Sequence, residues 1–149
     1  MGYIAELRAC LGTRPLIIAS SAIIVLNDNQ EVLLQLCPDT NNWKVPIGAM
    51  EPGEAIDETA MRKLLEETGL HSEAFQFLGV LSGKELYYKY AHGDEVYYVI
   101  HIFQADCVQG NLQPSGKGVN LRYFSVEKLP KLHVITEKIL KKFLAALTE

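Results

Sequence analysis

Gly48-Ala-Met-Glu-Pro-Gly-Glu54-Ala-Ile-Asp-Glu-Thr-Ala-Met-Arg62-Lys63-Leu-Leu-Glu66-Glu67-Thr-Gly69-Leu70 is the stretch that decides the fold. It opens as a loop, in which Pro52-Gly53 favours a type II turn: proline presets the first central residue and glycine supplies the positive φ of the second. From Glu54 to Thr68 the pattern is helical, with Ile56, Ala60, Met61, Leu64 and Leu65 as an apolar sector, and Gly69 stands where a left-handed cap lets Leu70 fold back. At roughly 100° per residue, Lys63, Glu66 and Glu67 share one sector, with Glu67 nearly above Ile56, Ala60 and Lys63. Two carboxylates therefore border the apolar stripe. Such a carboxylate is costly unless a cation or donors meet it, and hard oxygens grouped this way suit Mg²⁺ or Mn²⁺. The plainer alternative is that Glu66 and Glu67 are solvated, with Lys63 and Glu67 forming an i,i+4 pair worth roughly 0.2–0.5 kcal/mol. The tight turn favours the metal, because it can aim a backbone carbonyl beside the helix.

These residues resemble the Nudix box, G-x5-E-x7-R-E-U-x-E-E-x-G-U with U aliphatic, at eight of its nine specified positions. The order of strands, loop and helix outside the box is also similar to that family, so the likeness spans the chain. It implies one Nudix-type domain over residues 1–149, an α/β/α sandwich with a mixed sheet. It further implies a hydrolase that cleaves a phosphoanhydride in a nucleoside diphosphate linked to another moiety, using Mg²⁺ or Mn²⁺ as cofactor. On this resemblance Glu66, Glu67 and the Gly48 carbonyl hold the metal. Glu54 and Arg62 support them, Arg62 by a bidentate pair to a neighbouring carboxylate.

Two departures bear on catalysis. Lys63 stands where the box has a glutamate that serves as base or extra metal ligand in the family, so an attraction becomes a repulsion. At about 5 Å and an effective dielectric near 20, each unit-charge pair is worth roughly 3 kcal/mol, doubled for a divalent ion. Weaker metal binding or loss of a second metal is the expected direction. Upstream, Val45-Pro46-Ile47-Gly48 replaces the family's Leu-Pro-Gly-Gly, and a branched residue resists positive φ, which predicts a shifted loop. Glu95, in the Asp94-Glu95 pair, is the candidate substitute base. The competing function is an impaired domain that binds a nucleotide or protein partner without turnover.

The remaining composition narrows the class. The chain has 149 residues, 48% hydrophobic and 21% charged, and the longest apolar stretch, Leu16 to Leu26, is interrupted by Ser20 and Ser21. A membrane span of about 20 residues is not there, and Met1 to Leu11 reads as a short amphipathic helix with no secretory leader, so a cytoplasmic protein is expected. A net charge of −4 argues against a basic face for a nucleic-acid duplex and leaves a small nucleotide-type substrate as partner. A homodimer is left open. Cys10, Cys37 and Cys107 lack zinc or disulfide spacing.

Along the chain, Pro15 to Leu26 and Glu31 to Cys37 read as a hairpin, Trp43 to Val45 as a short extended piece, and Pro46 to Gly53 as loop. Ala74 to Leu81, a hairpin from Glu85 to His101 continuing to Val108, and Leu121 to Val126 follow as strands. A last helix is expected over Thr136 to Leu147, with Ile139, Phe143 and Leu147 on one face. Tyr87, Tyr88, Tyr90, Tyr97 and Tyr98 read as cross-strand packing and Trp43 as a core anchor. His71, His92, His101 and His133 have no metal-ligand spacing.

Overall fold

Strand β1 (Leu16–Val25) is almost wholly apolar because both of its edges and most of both faces are covered. The computed structural model that shows this describes residues 2–113 and 120–148, with side chains as far as Phe143. Helix α1 (Tyr3–Leu11) precedes β1 and buries none of its residues. On one edge β1 pairs antiparallel with β4 (Ile47–Ala49); on the other it runs parallel to β7 (Glu95–Asp106). Strands β5 (Ala74–Leu81) and β6 (Tyr87–Lys89) both pair antiparallel with β7, completing a mixed five-stranded sheet. A second, antiparallel sheet sets β2 (Val32–Cys37) between β3 (Asn42–Lys44) and β8 (Leu121–Phe124).

Alternation along β1 assigns the layers. Ala22 and Ile24 join Val45, Ile100, Ile102, Ile135 and Ile139, where helix α3 (Val134–Thr148) packs. Ile23 and Val25 turn the other way, to Ala60 and Leu64 of helix α2 (Ile56–Thr68) and to Phe103 and Ala105 of β7. The result is the expected α/β/α sandwich with a mixed sheet. Trp43 packs on the first cluster, edge-on to Phe124 at 4.8 Å, and Tyr87 meets Tyr97 across β6 and β7 at 5.2 Å. No helix among the described residues is long and apolar enough to cross a membrane.

Three local expectations are corrected. β1 and β2 do not form a hairpin: β4 and β7 already occupy both edges of β1, so β2 leaves for the second sheet after a single bridge, Leu26 to Val32. The loop from Pro46 to Gly53 contains strand β4. In α2, Ala60 and Leu64 are fully buried, but Met61 and Leu65 are 36% and 54% exposed. The helix sits on the sheet through residues four apart, and the next position along turns about 100° away. Leu147 lies outside the described side chains.

Leu64→Ala should lower the unfolding free energy by about 2–5 kcal/mol, whereas Leu65→Ala should cost less than about 0.5 kcal/mol. Urea unfolding at constant m-value checks both; equal losses would contradict the seating of α2.

Candidate functional site

The site lies along the seam between the edge strand β4 and helix α2. Ahead of the helix, the Glu54 N–H donates to the Glu51 carbonyl at 3.0 Å and Gly53 has φ +89°, as the Pro52-Gly53 turn requires. Ala55 is the N-cap and offers no side-chain acceptor; Glu58 reaches back instead and accepts the Ala55 N–H at 2.7 Å. At the far end Gly69 is left-handed, φ +78°, and its N–H donates to the Leu65 carbonyl at 2.9 Å.

Arg62 ties the parts together. Its Nε donates to Glu54 Oε2 at 2.6 Å and its Nη2 to Glu54 Oε1 at 2.9 Å, the bidentate pair expected from the sequence. Nη2 also reaches the Ala49 carbonyl at 2.9 Å, and Nη1 reaches Glu66 at 3.3 Å. The Glu54 carboxylate accepts further bonds from the Glu51 N–H and the Thr59 hydroxyl, both 2.9 Å. The Arg62 hydrogen bonds hold the Glu54 carboxyl down at about 2, helped by the Glu51 and Thr59 donors against partial burial, and push the guanidinium up in return.

Glu67 is held differently. Its Oε1 accepts the Ile47 N–H at 3.0 Å and its Oε2 the Gln35 amide at 2.9 Å. The i,i+4 pair with Lys63 is not formed; Lys63 Nζ lies instead 3.3 Å from Glu66 Oε2. Glu66 is half-exposed, between the Arg62 and Lys63 cations.

The β4 ladder decides which backbone groups face this seam. Ile23 N–H donates to the Pro46 carbonyl and Met50 N–H to the Ala19 carbonyl, both at 2.9 Å, so alternate β4 residues bond to β1. With Ser21 opposite Gly48, this alternation turns the Gly48 N–H and carbonyl toward β1. Ile47 and Ala49 turn outward, where the Ile47 N–H meets Glu67 and the Ala49 carbonyl meets Arg62. The outward carbonyl at the carboxylates is therefore that of Ile47, not of Gly48. Gly48 enters the site through its missing side chain: a methyl there would stand 1.7 Å from Lys63 Cε and 2.5 Å from its Cδ and Cγ. Ile47 has no positive φ and extends within β4, so its replacement of glycine leaves the strand paired.

Glu95 is not brought to this seam. It begins β7, six residues before His101, the residue opposite Ser21, which sets it about 20 Å along the strand. There it accepts the Tyr87 hydroxyl at 2.5 Å. Among the histidines, His101 stands at the register of Ser21, with its Nδ1 3.2 Å from the Ser20 carbonyl. His133 lies 4.7 Å from the Tyr88 ring, and burial, with Lys44 nearby, pulls its pKa down.

The donor set fits one small, hard cation. Glu66 is exposed enough to turn, each Glu67 oxygen keeps acceptor capacity beyond its one bond, and the Ile47 carbonyl adds a neutral oxygen. Among the described residues no three His, Cys, Asp or Glu side chains stand close enough to hold a metal by themselves, so an ion there would need the carbonyl and water to complete its shell. Gln35 and Ser21 were missed in the sequence. Gln35 is 3% exposed and braces Glu67; Ser21 is fully buried and donates to the Ile56 carbonyl at 2.8 Å. Each interrupts an apolar strand run, the signal that could have singled it out.

The NUDIX domain model matches residues 16–147. The chain belongs to the Nudix family. A putative 8-oxo-dGTP diphosphatase of Bacillus subtilis (strain 168) is 32% identical over 117 residues, covering 78% of this chain and 72% of that protein. An ADP-ribose pyrophosphatase of Methanocaldococcus jannaschii is 31% identical over 124 residues, covering 81% and 69%. A MutT NUDIX hydrolase structure from Burkholderia pseudomallei shares the fold, with TM-score 0.71 at 20% identity over 86% of this chain and 98% of that one. This Nudix protein is thus placed among hydrolases that cleave phosphoanhydride bonds.

Because the Glu54 pKa is lowered on folding, its ion pair with Arg62 stabilises the Nudix fold above the ordinary carboxylate range and loses that contribution as pH falls toward about 2. Glu54→Gln should cost about 1 kcal/mol at pH 7, since the pair is partly exposed. The gap from wild type should narrow as urea midpoints are followed from pH 7 down to pH 3. A gap that stays constant over that range would remove the ion pair as its cause.

Proposed function

We propose that this Nudix hydrolase is a Mg²⁺- or Mn²⁺-dependent pyrophosphohydrolase acting on a nucleoside diphosphate linked to another moiety. Glu66 and Glu67, together with the outward Ile47 carbonyl, would hold the ion. When bound, it supplies charge neutralisation at the diphosphate and a more acidic water. The observation that carries the proposal is the Glu67 carboxylate held against the β4 backbone at the Ile47 N–H, with Arg62 reaching Glu66 and fixing β4, the turn and the helix against each other. The family match over residues 16–147 supports treating the chain as one domain.

The protein's own residues do the rest. Arg62 fixes Glu54 and Ala49 and keeps Glu66 near the seam; with its guanidinium pushed up by the Glu54 bonds it holds its proton and is no general acid. Glu67 orients itself through Ile47 and Gln35 and carries its charge at a fixed place. Glu95 is not proposed as base. The two curated relatives guide the choice of substrates, 8-oxo-dGTP and ADP-ribose, without fixing the nucleobase for this chain.

A second function, binding without turnover, is favoured by Lys63, whose ammonium already lies on Glu66. The two separate in a phosphate-release assay with Mg²⁺ or Mn²⁺ over nucleoside triphosphates, dinucleoside polyphosphates, ADP-ribose and sugar nucleotides. The hydrolase should turn over at least one, and Glu66→Gln should lower kcat/KM by about 100-fold or more. Wild type inert throughout, with Lys63→Glu gaining metal-dependent turnover, would give the site to binding alone.

A further inference from the structure

Lys63 and Arg62 are the two site residues whose charge opposes a cation, and the surroundings of Lys63 are shaped around it. The methylenes of Lys63 cross the α-carbon of Gly48 so closely that any β-carbon there would overlap them, the nearest approach being 1.7 Å to Cε. Gly48 has no positive φ, so its backbone does not require glycine; the passage of the lysine chain does. At the end of that passage Nζ meets Glu66 Oε2 at 3.3 Å, its one hydrogen bond among the described residues.

Arg62 touches the same carboxylate but cannot leave, because Glu54 and the Ala49 carbonyl hold two of its three nitrogens. Lys63 is held by a single contact on a four-carbon stem and can swing. A charge balance follows. The seam carries three carboxylates, Glu54, Glu66 and Glu67, against the two cations Arg62 and Lys63, so a divalent ion there would tip the balance to positive charge unless Lys63 gives up Glu66 and finds another anion. The anion a Nudix substrate brings is a phosphate oxygen.

We propose that Lys63 is the site's exchangeable counter-cation: it competes with a divalent ion for Glu66, limits the seam to one such ion, and once displaced contacts the substrate diphosphate. Gly48 is the channel that aims it. This rests on the metal-dependent function proposed above, and Lys63 is on this account a substrate-contacting residue and Gly48 a positioning one.

The test is a Mn²⁺ titration of the full chain, with free Mn²⁺ read by electron paramagnetic resonance at fixed ionic strength, and calorimetry with inorganic pyrophosphate in Mg²⁺. Wild type should bind one Mn²⁺. Lys63→Met should bind one Mn²⁺ about threefold to fivefold more tightly, since the competing half-exposed ion pair is gone. Gly48→Ala should shift Mn²⁺ affinity in the same direction by evicting the lysine chain, with an unchanged circular dichroism spectrum. Lys63→Glu should bind a second ion. For Lys63→Met, pyrophosphate affinity should fall by about tenfold. Opposite movements of the Mn²⁺ and pyrophosphate affinities are the signature, since loss of structure would weaken both.

If Lys63→Met and Gly48→Ala leave Mn²⁺ affinity within about twofold of wild type, or pyrophosphate affinity does not fall, the exchange is refuted while the metal site stands. If neither wild type nor Lys63→Glu takes up Mn²⁺, the metal-dependent function itself fails and the exchange fails with it.

Discussion

The Arg62 guanidinium is the constraint on which the site depends. It reaches the Glu54 carboxylate at the head of the helix, the Ala49 carbonyl on the edge strand and Glu66 one turn further along α2. The first two lie outside α2, one in the turn and one on the strand, and Arg62 ties both of them to the helix directly. A planar fork with donors in fixed directions can satisfy all of them at once, which a lysine at the same place could not. The packing of Ala60 and Leu64 seats the helix on the sheet; Arg62 then determines how the carboxylates stand relative to β4.

Around that clamp the polar groups are sorted by strand alternation. Ile47 and Ala49 turn outward to Glu67 and Arg62, while Gly48 turns its backbone to β1 and its bare α-carbon to Lys63. A three-residue strand thus gives one donor, one acceptor and a gap, each used by a different residue of α2. The replacement of a glycine by Ile47 is compatible with this because an extended residue at that point needs no positive φ.

Much of this was legible in the sequence, and what was not has definite causes. The helix from Ile56 to Thr68, its glycine cap, the turn at Pro52-Gly53 and the Arg62 pair with a carboxylate are encoded within twenty-odd residues, where local spacing governs. The apparent hairpin of β1 and β2 failed because pairing partners come from residues 47–49 and 95–106, which no local pattern reports. Glu95 was the candidate substitute base, yet register sets it far along β7. Lys63 was expected to weaken a metal site by its charge; that its chain needs Gly48 to pass could be read only from the atoms. Gln35 and Ser21 were visible as polar interruptions of apolar strands, but their partners Glu67 and Ile56 were not.

The parallel ladder between β1 and β7 joins Leu16 to Val96 and Val25 to Ala105, a constant separation of eighty residues along the chain. Closing so long a loop costs entropy before the contacts return any of it, and parallel pairings of this kind form slowly. Until residue 105 has left the ribosome, β1 has no neighbour on that side, and its run of isoleucine and valine stays open to other strands. Expression at lower temperature, or with a chaperone that shields the exposed strand, should therefore raise the soluble yield of this chain.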